Sequence, residues 1–286
     1  MSWTSTQLGE YVAALELCRA STTKRRLLDS LVLKAGYEKG IQQFFQRQAV
    51  FGMDLREVAS RFTEVWSKHP EIRALSVRDP EYPTLLKEIP SPPAALFVRG
   101  ALDLLKYRCV AVVGSRKASQ KGLDRAAKIA RDLARKGIVV VSGLARGIDS
   151  AAHRAALSVE RGKTIAVLGT PIDRVYPAEH KDLQEEIARV GLLVSQFPSG
   201  LPVSRFNFPE RNRVMAGICE ATVVVEAGDT SGAVIQARQC VSQGRSLFMT
   251  DIVRKTPSLR WPSAYLARGA LVANSADEIV RRLDER

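Results

Sequence analysis

The chain has 286 residues, room for one large domain or two smaller ones, and an apolar fraction of 45% that excludes a disordered or fibrous protein. Its 43 basic and 30 acidic residues leave a formal net charge of +13 and a pI near 9.9. That balance points to a polyanionic partner, nucleic acid before anionic membrane; a basic protein with no such partner is the rival. There is no secretory signal and no apolar run long enough to span a bilayer, so a cytoplasmic protein without membrane association is expected.

Residues 1–68 read as a small helical domain. Leu8, Val12 and Leu15 share a face, as do Leu27, Leu28, Leu31 and Ala35, and then Leu55, Val58, Ala59, Phe62, Val65 and Trp66. Spacings of three and four are those of amphipathic helices, with breaks expected at Gly36 and Gly52 and a stop at His69-Pro70. The domain either contacts DNA or protein, or only caps the rest. Pro70, Pro80, Pro83, Pro90, Pro92 and Pro93 exclude a long helix from the next stretch. There, Tyr82-Pro-Thr-Leu-Leu86 reads as a turn or short helix, and 95–99 as an added strand ended by Gly100.

From residue 109 apolar runs alternate with helical patterns. Strands are expected at 109–114, 138–142, 164–168, 192–195, 222–226 and 246–249. Leu123, Ala126, Ala130 and Leu133 line one intervening helix, stopped by Gly137. Asp149 is placed to cap a second, Thr230 or Ser231 a third, and Ser275 with Glu278 forms a capping box for the last. Such alternation predicts an α/β fold with a doubly wound, mainly parallel sheet, its function gathered outside the carboxyl ends of the strands.

At the first strand end lies Gly114-Ser115-Arg116-Lys117, a turn opening onto a helix. Unpaired N–H groups at such a turn bind anions, and the two cations add to that; the competing reading is an ordinary strand-turn-helix joint. At the second end, Gly143 and Gly147 bracket Arg146 before Asp149, a second candidate anion nest. The stretch 205–213 interleaves Arg205, Arg211 and Arg213 with Phe206, Phe208 and Asn212, on what reads as a loop leading into a helix. Rings that stack on unpaired bases beside arginines that hold phosphates suit single strands, and Phe197 is a candidate to join them. The opposing reading buries the rings and pairs the arginines with Glu210 and Glu226.

Other chemistries fit less well. A Gly-x-Gly-x-x-Gly turn is missing after the first strand, and Ser142-Gly143 stands where a dinucleotide site wants an acid. No serine sits in a Gly-x-Ser-x-Gly elbow. Three scattered histidines, and Cys18, Cys109, Cys219 and Cys240 without a paired-thiol spacing, suggest neither a metal site nor a disulfide. No cofactor is expected.

These motifs together resemble the DNA-processing protein A family (DprA, also called Smf). The match covers about residues 70–286. It runs through Tyr82-Pro83, Pro92-Pro93, Val112-Val113-Gly114-Ser115-Arg116, 142–149, Ala152-His153, Leu168-Gly169, Tyr176-Pro177, Phe208-Pro209, Arg211-Asn212-Arg213, Ala216-Gly217, Glu226-Ala227 and Ser231-Gly232. The resemblance implies an extended Rossmann-like domain at 69–286. It also implies a protein that binds and protects single-stranded DNA without enzymatic chemistry, helps load the recombinase RecA during DNA uptake or repair, and forms a homodimer. Its DNA site would include Gly114, Ser115, Arg116, Arg205, Arg211, Asn212 and Arg213, with Phe208 a weaker carry-over; Lys117, Arg146 and Phe206 are added from the residues alone. Residues 1–68 lack the glycine-rich hairpin signatures of many members, and Met249-Thr250-Asp251 stands where Pro-Gly is usual. No C-terminal winged-helix domain is expected. The rivals on this fold are a nucleotide-binding sensor and a nucleoside-monophosphate phosphoribohydrolase, for which Glu226 or Asp229 would supply the acid.

Overall fold

The computed structural model describes residues 3–18, 21–48, 64 and 67–285. The expected helix around Leu55–Trp66, and the break at Gly52, lie outside the described residues. Three helices, Ser5–Leu17, Thr22–Ala35 and Tyr37–Gln48, open the chain. Ser21 accepts the Lys24 N–H to cap the second, and Gly36, at φ 82°, ends it. Leu8, Val12, Leu15, Leu28 and Leu31 are buried. They do not close a core of their own: with Ile41 and Phe44 they join Phe97, Leu168 and Leu193 of the sheet in one apolar cluster.

Among the described residues the sheet has nine strands: β1 Arg73–Ser76, β2 Ala95–Gly100, β3 Cys109–Val113, β4 Val139–Ser142, β5 Thr164–Leu168, β6 Leu192–Ser195, β7 Ala221–Val224, β8 Ser246–Met249 and β9 Leu271–Val272. Their spatial order is β1-β2-β6-β5-β4-β3-β7-β8-β9. β1 and β2 run antiparallel to each other, and β2 to β6; every other pairing is parallel. The fold is therefore α/β and Rossmann-like with an N-terminal helical part. β1 and β9 add to the expected strands; four and two residues are too few for alternation to register in the sequence.

Period two explains why the central strands are apolar throughout. Val110 and Val112 of β3 face the helices Gln120–Arg135 and Ile148–Leu157, in a cluster with Val140 and Val223. Ala111 and Val113 face the other way, toward Val214 and Met215 of the helix Asn207–Ile218 and Ala237 of the helix Gly232–Ser242. Each valine so buried contributes about 1.5–3 kcal/mol. Along the chain β3, β4, β5 and β6 step in one direction, and β7 then returns to the opposite side of β3. The reversal leaves a crevice between β3 and β7 at their carboxyl ends.

The caps differ in detail from expectation. Ser231 caps its helix through the Ala233 N–H. Ser275 accepts from Glu278 N–H, but the Glu278 carboxylate reaches Asn274 N–H at 2.7 Å, one residue outside a capping box. Asp149 is not an N-cap; Gly147 holds that position. All four cysteines are buried free thiols. Among the described residues no helix is long and apolar enough to cross a membrane.

Candidate nucleic-acid interface

The crevice between β3 and β7 holds a cavity of about 540 Å³. Gly114, Ser115, Arg116 and Lys117 line it from the β3 turn, Gly228, Thr230 and Ser231 from the β7 loop, and Ala145 and Asp149 from beyond β4. Its last wall is the helix Asn207–Ile218, through Phe208, Arg211, Asn212 and Met215. Those four positions are i, i+3, i+4 and i+7, one helix face.

The loop expected to lead into a helix is confined to residues 205–206. Helix begins at Asn207, so the cations of the stretch are distributed around an axis rather than presented together. Arg211 is buried inward: its Nη1 donates to the carbonyls of Gly143 and Val167 at 2.6 Å each, and its Nε to Asn212 Oδ1 at 3.0 Å. Arg213 lies on the far face, donating to the Pro90 and Ser91 carbonyls at 3.2 and 2.7 Å and pairing with Glu210 at 3.3 Å. Glu210 also holds Arg26 of the second helix at 2.7 Å. Asn212 Nδ2 donates to the Gly232 carbonyl. Arg211 and Asn212 are thus part of the cavity wall, and Arg213 is not brought to it.

Neither glycine turn is an open anion nest, and both expectations are corrected. After β3, Ser115 N–H donates to the Glu226 carbonyl at 2.7 Å and Lys117 N–H to Ser115 Oγ at 3.1 Å. The Glu226 carboxylate accepts from Ser119 N–H and Oγ at 2.9 and 2.6 Å. After β4, the Asp149 carboxylate accepts from Gly143 N–H at 3.2 Å and Ala145 N–H at 3.4 Å. The chain supplies a carboxylate to the β4 turn, and a carbonyl and a hydroxyl to the β3 turn. Burial raises the Asp149 carboxyl above the usual carboxylate range, and the Arg211 charge opposes the shift. Burial likewise lowers Arg211, against the pull of Asp149. Gly143 is required here because a Cβ would overlap the Arg211 guanidinium.

Arg116 is exposed and makes no hydrogen bond or ion pair among the described residues, its guanidinium 5.9 Å from the Phe208 ring centroid. Lys117 is exposed beside it. Arg205 lies against Phe206, 5.1 Å from guanidinium to ring centroid; both are exposed at the start of the helix, outside the cavity wall. Arg146 is paired with Glu179. Phe197 does not join the rim: it is buried beneath the Arg25 guanidinium, 4.7 Å away.

A smaller cavity, about 330 Å³, adjoins the first and shares Arg116, Ala145, Phe208 and Arg211 with it. Tyr176, half exposed, stands at this second cavity with its ring 5.4 Å from that of Phe208. Tyr176, Thr230, Ser231 and Met215 are among the lining residues absent from the expected site. Met215 was recoverable as i+7 from Phe208, and Tyr176 from its place after β5.

Comparison with known proteins follows the same lines. A family model described as DNA recombination-mediator protein A matches residues 73–284. DNA processing protein DprA of Bacillus subtilis is 34% identical over 216 residues, covering 75% of this chain and 72% of that protein. The Streptococcus pneumoniae protein of that name is 45% identical over 175 residues, 61% of each chain. The match spans 46% of the Synechocystis protein Smf. The X-ray structure of the S. pneumoniae protein superposes with a TM-score of 0.76 at 30% identity, covering 98% of both chains. A Helicobacter pylori structure, described as having a unique single-stranded DNA binding mode, superposes at 0.66 with 26% identity, over 76% of this chain and 97% of that one.

Proposed function

The chain belongs to the DNA recombination-mediator protein A family, and from that premise we propose that it binds single-stranded DNA without regard to sequence and acts as a recombination mediator. The observation that carries the reading is Arg116, an exposed cation with no carboxylate partner among the described residues, set beside the Phe208 ring where two cavities adjoin. Arg116, Lys117 and Arg205 hold phosphates. Phe208 and Phe206 offer faces to unpaired bases, which a duplex hides. The wider role follows the family: protecting the strand, delivering it to a RecA-type recombinase, and working as a cytoplasmic homodimer in DNA uptake or repair.

Binding rather than bond-making is also what the acids support. Glu226 is committed to Ser119, and the Asp229 carboxylate to the N–H groups of Arg260 and Trp261 at 3.0 and 3.2 Å. Neither is free to act on a ribose, which disfavours the phosphoribohydrolase reading.

The test is equilibrium binding of single- and double-stranded oligonucleotides across a salt series. Three phosphates neutralised on a single strand give a slope of log K against log salt of about −2. Duplex binding is expected to be weaker. A slope near zero, or thermal stabilisation by mononucleotides and not by oligonucleotides, rejects the reading in favour of a nucleotide sensor.

A further inference from the structure

The opening helices share an apolar cluster with the sheet, but the second of them carries charge that packing does not need. The first turn of Thr22–Ala35 holds Lys24, Arg25 and Arg26 and no acid. A helix N-terminus favours negative charge, so three cations there oppose its dipole. Their side chains lean toward that end, because each Cα–Cβ bond tilts that way. The turn is anchored at two points. The Arg25 guanidinium lies 4.7 Å from the ring centroid of Phe197, two residues past the end of β6. Arg26 reaches Glu210 at 2.7 Å, in the first turn of the helix Asn207–Ile218 and one turn beyond Phe206. β3 to β6 are parallel, so β6 ends at the edge that carries Arg116, three strand spacings or about 14 Å away.

Charge at this corner is not balanced. Glu210 is shared between Arg26 and Arg213. The buried Asp29 carboxylate is taken by Tyr11 Oη–H and Ala94 N–H. Lys24 is exposed and makes no ion pair among the described residues, and the Arg26 side chain is 47% exposed. Three donor atoms around Phe197, namely Arg25 Nε, Gln196 Nε2 and Ser199 Oγ, are buried with no hydrogen-bond partner among the described residues. Buried donors left unmade are uncommon, and these three call for the kind of acceptor oxygen that phosphate brings.

We propose that the first turn of the second helix extends the single-strand track, so that a strand running from Arg116 past Arg205 sets two further phosphates on Lys24 and Arg26. The inference rests on the single-strand reading above and deepens it. The ligand here is the phosphate backbone and not the bases. Arg26 engages Glu210 through one nitrogen, which leaves the rest of its donor fork for phosphate. Arg25, held against Phe197, adds attraction without contact. Continuity with the crevice favours a nucleic-acid strand over an acidic protein segment: a polynucleotide already held at Arg116 delivers its next phosphates at high local concentration. The helical segment then takes part in binding and does not merely cap the sheet.

The experiment measures equilibrium binding by fluorescence anisotropy across a salt series, with oligothymidylates of about 4 and about 16 nucleotides, the two ends of the usual range of site sizes. The proteins are wild type, the double variant Lys24→Ala/Arg26→Ala, and Arg281→Ala/Arg282→Ala. The last removes equal charge from the other end of the sheet, where Asp284 of the same helix pairs with Arg108 just before β3. On the long strand the slope of log K against log salt is expected to be about −3.5 for wild type and control, and about −2 for Lys24→Ala/Arg26→Ala, at about 0.7 per phosphate. On the short strand all three proteins should coincide near −2. An unchanged long-strand slope in Lys24→Ala/Arg26→Ala overturns the proposal, as does an equal change in the control. An equal loss on both lengths also overturns it and makes the two cations supports of the crevice. So does a double variant that keeps its long-strand affinity but loses binding to a polyglutamate peptide, which assigns the surface to an acidic protein. Should the double variant fail to fold, Lys24→Ala alone decides: a long-strand slope shallower by about 0.7 upholds the proposal and an unchanged one overturns it. A wild-type protein that binds neither length withdraws the single-strand reading itself, a result distinct from binding that ignores the second helix.

Discussion

Arg116 and Arg211 border the same cavity, yet their removal is expected to have opposite effects. Arg116→Glu removes a solvated cation that makes no hydrogen bond among the described residues. Oligonucleotide affinity should fall sharply while the melting temperature stays put; parallel loss of both would make Arg116 structural. Arg211→Ala strips donors from the carbonyls of Gly143 and Val167 and leaves the buried Asp149 without its nearby charge. It should cost about 3 kcal/mol of stability, read from the denaturant midpoint at constant slope. His153 makes a third case. Thr164 Oγ1 donates to the Val140 carbonyl, so His153 Nδ1–H donates to Thr164 Oγ1 at 2.7 Å and the buried Nε2 is left bare. Burial first, then His180 and Arg211, lower its pKa from 6.5 to about 3. Between those values the unfolded chain holds the proton that the folded protein refuses, so stability rises with pH there. The contribution is complete above about pH 6.5 and is lost as pH falls toward 3. The melting temperature of wild type should therefore fall more steeply from pH 6.5 to 4.5 than that of His153→Gln; parallel curves would reject the assignment.

At the scale of elements, the β3 turn is fixed by β7. Glu226 receives Ser115 N–H on its carbonyl and both Ser119 donors on its carboxylate. Glu226→Ala should cost about 1–3 kcal/mol and loosen the turn that carries Arg116, seen as faster amide exchange at residues 115–119. No exchange difference would mean the turn is held by other contacts. The central strands were legible because parallel strands buried on both faces are written as near-continuous valine-rich apolar runs, as in β3 and β4. Helix stops were legible at Gly36 and Gly137, where positive φ favours glycine. The start of the helix Asn207–Ile218 was not, since Phe-Pro-Glu-Arg-Asn-Arg has no apolar period and a proline near its start. A run of alternating arginines and rings reads as a loop until 3.6 residues per turn sends Arg213 one way and Phe208 the other. Nor does spacing reveal that Asp149 fills the β4 turn instead of capping its helix, or that Glu226 is held by Ser119. Which amide a carboxylate seeks across a turn depends on tertiary approach that spacing does not encode.

For the whole molecule, the helical segment and the sheet meet at Glu210, which Arg26 reaches from the second helix and Arg213 from its own. Asp29 adds a second tie, accepting Tyr11 Oη–H at 2.5 Å and the Ala94 N–H at 3.1 Å. Glu210→Ala removes the carboxylate paired with the buried Arg213. It is expected to lower stability by about 3 kcal/mol, nearly all from Arg213 because Arg26 is half exposed and solvent-screened. Unfolding should stay a single transition, since the segment shares its apolar cluster with β2, β5 and β6. Two separated transitions in calorimetry would show independent units. The shared cluster was not readable from residues 1–68, whose amphipathic faces say that they must be covered but not by what.

The self-filled turns have one more consequence. With Asp149 lodged in one and Glu226 closing the other, an arriving strand finds no slack backbone to gather in. The rim is set before encounter, so little ordering entropy is spent on docking and capture speed is governed by long-range attraction. Raising ionic strength should thus slow arrival more than it hastens departure.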